Sequence, residues 1–251
     1  MSEPSQNELD RLIAEVRARV EMERSFGADV YRVGGEEQAE LAGPRPRGPA
    51  SAPRVAEDGE KRRRLEELRE EIENCHHCPL GATRTKFVFG TGRADARLMF
   101  IGEAPGADED RQGEPFVGRA GQLLTKMINA MGLDRGDVYI GNILKCRPPA
   151  NRTPTLEEMA ICMPYIIRQI EIIRPEVICA LGAVALKGLL RDPGAAIGRM
   201  RGSFVDWHGA KLMPTFHPAY LLRSPGEKRK VWEDLQKVME ELGLRLGNRA
   251  L

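Results

Sequence analysis

Aromatic residues make up only 5% of this 251-residue chain, and just two of them are tryptophans. A folded core must therefore rest mainly on aliphatic side chains. Long apolar runs are missing as well. Nowhere do 18 apolar residues follow one another, the shortest stretch that reads as a membrane-crossing helix, so no membrane association is expected. The opening MSEPSQNELDRL lacks the charged-then-apolar order of a secretory signal, which makes an intracellular, cytoplasmic protein the expectation. Charge of one sign is also lacking, with 38 Lys and Arg against 37 Asp and Glu. That balance leaves nucleic-acid binding open, because the clustering of basic residues on one face decides it. Cysteine is scarce, at five residues. In a reducing compartment so few thiols point to metal ligation or burial rather than to disulfides.

What is present suits a soluble protein: 41% hydrophobic and 30% charged residues, enough for one α/β domain with an appendage. Residues 1–58 form an N-terminal extension unlike the rest. Leu9, Leu12, Ile13, Val16 and Val20 predict a charged amphipathic helix over Asn7–Arg24. Gly43–Pro53 (GPRPRGPASAP) is too poor in large apolar groups for a core and reads as a flexible linker. A domain over residues 59–246 follows, opened by a helix at Glu60–Asn74 with Leu65, Leu68 and Ile72 on one side.

From Cys75 onward, short strands alternate with helices. Strands are predicted at Arg97–Gly102, Val138–Ile143, Glu176–Leu181 and Lys211–Phe216, and helices at Gly121–Met131, Thr155–Ile173 and Ala183–Leu190. A last helix is expected to start with Ser224 as N-cap and Pro225 at its first position. Its apolar stripe runs through Val231, Trp232, Leu235, Val238, Met239 and Leu242. Alternation with nearly continuous apolar strands implies an α/β fold: a three-layer α/β/α sandwich around a short, mainly parallel four-stranded sheet. Ligands of such sheets bind at the carboxyl ends of the strands. Those ends carry the unusual residues here, namely Gly102-Glu103-Ala104-Pro105-Gly106, Asn142 and His217-Pro218.

Cys75 and Cys78 form a C-x-x-C in ENCHHCPL, Cys146 follows the second strand, and Cys162 lies in the Thr155 helix. Four thiolates, two local and two distant, can close a sulfur site that selects zinc or an iron–sulfur cluster; spacing does not choose between them. Cys179, inside ICAL, reads as a buried small hydrophobe. His76 and His77 read as exposed helix-end residues.

At GEAPGADEDRQGEPFVGRAGQLL (Gly102–Leu124), KCRPPANRTP (Lys145–Pro154) and HPAYLLR (His217–Arg223), the chain resembles the family 4 uracil-DNA glycosylases, the iron–sulfur, thermostable-type branch of their superfamily. The resemblance covers about residues 60 to 245 and leaves out the extension. It implies a [4Fe–4S] cluster on Cys75, Cys78, Cys146 and Cys162. It also implies a DNA-repair enzyme that flips uracil out of DNA and cuts its N-glycosidic bond. Uracil-containing DNA, single- or double-stranded, becomes the expected partner, with a nucleoid-associated monomer as the acting species. The extension is a candidate docking segment for a protein partner.

Each motif residue then has a task that the chemistry requires. Phe116 offers a flat face for the flipped base. Asn142 has a carboxamide that can pair with both the N3–H donor and the O4 acceptor of uracil, a pattern that cytosine reverses. Gly102, Glu103 and Ala104 bring backbone close to the base. His217 is expected to donate toward the charge that grows on O2 as uracil leaves. The family pattern puts a catalytic or positioning acid at Glu109, whereas Asp110 reads as part of a solvated acidic loop. Other superfamily members carry a water-activating Asp at the position of Ala104, which this chain lacks.

Leu221 and Leu222 resemble the apolar wedge that fills the gap left by a flipped base, with one of the two expected to pack on the sheet instead. Arg223, Lys145, Arg147, Arg152, Arg201, Lys228 and Arg229 are candidate phosphate contacts. Two other functions compete. One is a uracil-DNA binder that does not turn over; that branch uses a basic, histidine-containing insertion after the asparagine strand, absent from the run of KCRPPANRTP into a helix. The other is a metal-stabilised nucleotide-binding or polymerase-accessory module with no catalysis, which would leave Phe116, Asn142 and His217 unexplained.

Overall fold

The computed structural model describes residues 52–244, with side chains from residue 58 onward. The predicted helix at Asn7–Arg24 and nearly all of the predicted linker lie outside the described residues. The helix predicted from Glu60 begins earlier, as α1 at Ala52–Ile72. It runs through the boundary expected between residues 58 and 59.

Among the described residues the sheet has six strands rather than the expected four. They are β1 (Thr91–Gly92), β2 (Leu98–Gly102), β3 (Tyr139–Asn142), β4 (Val177–Leu181), β5 (Val205–Trp207) and β6 (Ala210–Thr215). Their spatial order is β1-β3-β2-β4-β6-β5. The inner four strands are those predicted, and all are parallel, with Gly102 opposite Asn142 and Leu181 opposite Thr215. The two additions are short antiparallel edges. Two- and three-residue strands are too brief for alternation to reveal, and their pairing is a property of the assembled sheet.

Helices cover both faces: α2 (Leu80–Thr83), α3 (Ala107–Gln112), α4 (Arg119–Ala130), α5 (Leu156–Ile173), α6 (Ala183–Leu190), α7 (Ile197–Met200), α8 (Pro218–Arg223) and α9 (Lys228–Glu241). Alternate strand residues feed opposite layers. Met99, Ile101, Ile178 and Leu212 join α1, α5 and α6 in one core. Leu98, Phe100, Val177, Cys179 and Met213 join α4 and α9 in the other. This is the expected three-layer sandwich. Apart from the half-exposed Lys211 of β6, the inner strands are buried on both faces, which is why their sequences read as nearly continuous apolar runs. The predicted stripe of α1 is buried at Leu65, Leu68 and Ile72. The start of the last helix differs from expectation. Pro225–Glu227 forms a 3-10 turn, Ser224 makes no side-chain cap, and α9 begins only at Lys228. Among the described residues no helix is long and apolar enough to cross a membrane.

Strand order reverses between β2 and β4, since β2 leads to β3 on one side and β3 crosses back to β4 on the other. Connections leaving the carboxyl ends there diverge and open a crevice, the usual binding position in such sheets.

Candidate active site

The crevice holds a cavity of about 540 Å³ whose wall includes Glu103, Ala104, Glu109, Phe116, Asn142 and His217. Three residues distant in sequence thus meet around one space. The Phe116 and His217 rings lie with centroids 5.5 Å apart and planes 30° from parallel. Gly102 sits directly beneath. A Cβ there would come within 2.5 Å of Asn142 Oδ1 and 2.6 Å of the Phe116 ring, so any larger residue would push both out of place.

Phe116 occupies the left-handed region, with φ 54°, which costs a non-glycine residue ~1–3 kcal/mol unless its surroundings hold it. Three braces do so. Glu109 Oε1 accepts from the Val117 and Gly118 N–H groups, each at 2.9 Å, while its Oε2 accepts from Gly106 N–H at 3.1 Å. The Arg135 guanidinium donates to the Pro115 carbonyl. Gly121 lies so close that a Cβ would be 1.8 Å from the Phe116 carbonyl oxygen. Asp110 also departs from expectation. Instead of standing in solvent it is buried, and its Oδ1 accepts from Thr85 N–H at 2.8 Å. It anchors α3 to the preceding loop.

Asn142 ends β3 and is 2% exposed. Its Oδ1 is buried without a hydrogen-bond partner, a condition that among the described side chains it shares only with Asp58 Oδ1. A buried acceptor left unmet costs ~1–3 kcal/mol. His217 caps α8, its Nδ1 accepting from Ala219 N–H at 3.1 Å. Burial, reinforced by the nearby Arg223 cation and opposed by Glu109, lowers its pKa to about 4. The ring is therefore neutral at pH 7, and with Nδ1 accepting, its proton resides on Nε2. Burial also pushes the Glu103 carboxyl above its usual range.

The next turn separates the two leucines. Leu221 is fully buried in the α4–α9 core, while Leu222 is 39% exposed. Arg223 lines the cavity. Two candidate phosphate contacts are overturned. Lys145 is wholly buried and donates to three internal acceptors. Arg201 is bound to Asp234 and to the Lys230 carbonyl, because both belong to a buried network that includes Thr215. Arg152 lines the cavity with its guanidinium paired to Glu158 at 2.6 and 2.8 Å. Arg147 bonds Asn151 at 2.8 Å, and Arg229 pairs loosely with Glu233 at 3.5 Å. Arg119 and Tyr220 also line the cavity, though no role was expected of them. Their signal was position alone: each sits inside a quoted motif, one at the first turn of α4 and the other in HPAYLLR.

Cys75, Cys78, Cys146 and Cys162 are free thiols, the last two buried. Arg84 binds this corner together, donating to the Cys75 carbonyl at 2.7 Å, the Glu73 carbonyl at 2.7 Å and Cys146 Sγ at 3.2 Å. Tyr165 OH lies 3.2 Å from Cys75 Sγ and 3.0 Å from His77 Nδ1. Burial pushes the Cys162 thiol up to about 12, and the neighbouring Cys146 and Cys78 push the same way. Cys146 in turn feels Cys78 and Cys75. Among the described residues no group of three or more His, Cys, Asp or Glu side chains is arranged to hold a metal ion. Cys179 is buried in the opposite core, as expected of a small hydrophobe.

The sequence profile of the uracil DNA glycosylase superfamily matches residues 89–236. A type-4 uracil-DNA glycosylase of Thermotoga maritima is 49% identical over 176 residues, covering 69% of this chain and 92% of the relative. One from Archaeoglobus fulgidus is 44% identical over 186 residues, covering 71% and 94%. A type-5 uracil-DNA glycosylase of Pyrobaculum aerophilum is 34% identical over 164 residues, covering 59% and 71%. At that identity over nearly the whole length of its type-4 relatives, the chain belongs to the uracil DNA glycosylase superfamily and, within it, to the type-4 group.

Proposed function

We propose that this chain is a DNA-repair glycosylase that flips uracil from DNA and hydrolyses its N-glycosidic bond, leaving an abasic site. The observation that carries the reading is the unmet Oδ1 of Asn142, a residue that lines the carboxyl-end cavity beside Phe116 and His217. Uracil N3–H supplies the missing donor, and its O4 accepts from the same carboxamide. Cytosine offers an acceptor at N3 and a donor at position 4, so it would leave the buried amide oxygen unmet.

In the reaction the C1′–N1 bond breaks and its electron pair departs with uracil. Charge gathers on O2, where the neutral His217 can direct Nε2–H. A water oxygen then bonds to C1′ and releases its proton, while the anionic base takes one up. The sugar cation between these events is stabilised by fixed carboxylate charge, for which Glu103 and Glu109 are at hand. Glu109 has both oxygens engaged by backbone N–H groups, so its part is to shape the Phe116 loop and supply charge rather than to accept a proton. Ala104 offers no base for water activation. Leu222, rather than Leu221, is the side chain available to fill the vacated stack, with Arg223 beside it for backbone contact.

Cys75, Cys78, Cys146 and Cys162 would hold a [4Fe–4S] cluster. The donor set fits that group: four cysteine sulfurs, Cys146 and Cys162 buried, with Arg84 donating to Cys146 Sγ at 3.2 Å and Tyr165 OH 3.2 Å from Cys75 Sγ, soft ligands of the kind such clusters take. When bound, such a cluster supplies a covalent cross-link among three chain segments.

The test is a single-uracil oligonucleotide in excess over protein, with free uracil measured. Release of many equivalents per protein is expected. A single stoichiometric burst with a persistent complex would replace the glycosylase by a non-turnover binder. Brown colour with broad visible absorption, and about four irons per chain, checks the cluster; a colourless protein containing zinc would refute it.

A further inference from the structure

Lys145, a charged residue in the KCRPPANRTP motif, has no task in the reading above. Its side chain is wholly buried. The ammonium has three protons and three acceptors: the Phe89 carbonyl at 3.0 Å, the Asn142 carbonyl at 3.0 Å and Gln169 Oε1 at 2.6 Å. None is a carboxylate. Gln169 in turn donates to the Phe89 carbonyl at 3.1 Å and to Tyr139 OH at 3.0 Å. The Lys145 carbonyl accepts from Val88 N–H at 3.0 Å. A buried cation whose hydrogen bonds all go to neutral acceptors is costly to retain, and the nearby Cys162 and Cys146 offset that cost only in part. An apolar residue of similar length would pack there at less cost if stability alone were served.

The acceptors show what the cation connects. Asn142 is the amide-bearing end of β3, and Lys145 fixes the carbonyl of that same residue. Gln169 stands on α5 two turns beyond Cys162, and Phe89 lies on the segment that follows the Cys75–Cys78 loop. We propose that Lys145 is a positioning residue for uracil recognition, clamping the main chain of Asn142 so that its carboxamide stays aimed into the cavity, with α5 and the segment at Phe89 as the fixed supports. This inference rests on the assignment of Asn142 as the base reader.

A double-mutant cycle tests it. Single-turnover cleavage of a uracil oligonucleotide is measured for wild type, Lys145→Met, Asn142→Ala and the double variant, with iron per chain and the visible spectrum recorded for each. Lys145→Met should cost about tenfold to a hundredfold, the scale of a catalytic group misplaced by about an ångström. In the Asn142→Ala background it should cost less than about twofold, with iron content unchanged throughout. An equal loss in both backgrounds, or loss of iron in step with activity, overturns the proposal, since either means that Lys145 serves general stability or the cluster. Full activity of Asn142→Ala would instead break the base-reader assignment. Should Lys145→Met fail to fold, Gln169→Leu carries the same cycle. It withdraws the acceptor that steers the ammonium, and a loss of several-fold confined to the Asn142 background is expected.

Discussion

The sheet has a cavity at each end, and the two differ in kind. At the amino ends of β4 and β6 lies a space of about 850 Å³, lined by Ile170, Leu189, Trp207 and Ala210 with charged residues around its rim. The carboxyl-end cavity is smaller, at about 540 Å³. At the larger one polar demand is already met: Trp207 Nε1–H donates to the Leu189 carbonyl at 2.8 Å, and Glu176 receives both arms of Arg97. At the smaller one Asn142 Oδ1 is unmet, His217 is held neutral, and Phe116 is kept in a costly backbone conformation. Size does not mark the site. Unspent interaction does, because only groups left unsatisfied by the fold can gain from a ligand.

The contrast can be broken by substitutions at either end. The largest effect is expected from His217→Ala, a fall of about 10²–10³ in kcat, the usual loss for one donor to a developing anion. Wild-type activity should hold from pH 7 down past 6 and fall only near pH 4, as the imidazole charges and gives up the Ala219 N–H bond. A midpoint near 6.5 in the pH–rate profile would contradict a buried, neutral ring. The same shift links to stability. The folded-state pKa lies below the unfolded one, so the unfolded chain binds the proton first. Stability from this group is full above about 6.5 and declines as pH falls toward 4.

Asn142→Leu should cost about a hundredfold in kcat/KM, equivalent to two lost hydrogen bonds of ~1–1.5 kcal/mol each. Thermal unfolding should meanwhile stay level or rise, because an unmet buried acceptor has been removed. A clear drop in Tm would mean that the amide is structural. Leu222→Ala should slow excision from duplex about tenfold with little change on single strands, where no stacked gap needs filling. Leu221→Ala should instead lower stability by ~2–5 kcal/mol through a core cavity. The smallest change is expected at the other cavity. Trp207→Phe should leave activity within about twofold while reducing stability by ~1 kcal/mol, and a large activity loss there would erase the distinction between the two ends.

Much of this arrangement was legible in the order of residues. Four inner strands, both helix layers and the carboxyl-end position of Asn142 and His217 follow from apolar runs, helical spacing and topology, while Phe116 is picked out by the motif it shares with the glycosylase family. The errors share a cause. Lys145 and Arg201 qualify as phosphate contacts from their place in loops near the site, yet each is enclosed by acceptors contributed from distant elements. Asp110 sits in an acidic run that suggests solvent, but its partner, Thr85 N–H, comes from a segment 25 residues earlier. The choice between Leu221 and Leu222 depended on which way α8 faces.

What the sequence by itself determined is therefore the local and periodic content: strands buried on two faces, amphipathic helices, and residue types able to read a pyrimidine or ligate a metal. Those properties depend on near neighbours and on the repeat of each element. Only the tertiary structure decided which polar groups are satisfied. Hydrogen-bond partners come from segments tens of residues away, and whether Asn142 Oδ1 stays empty while Lys145 is saturated depends on how those segments pack together.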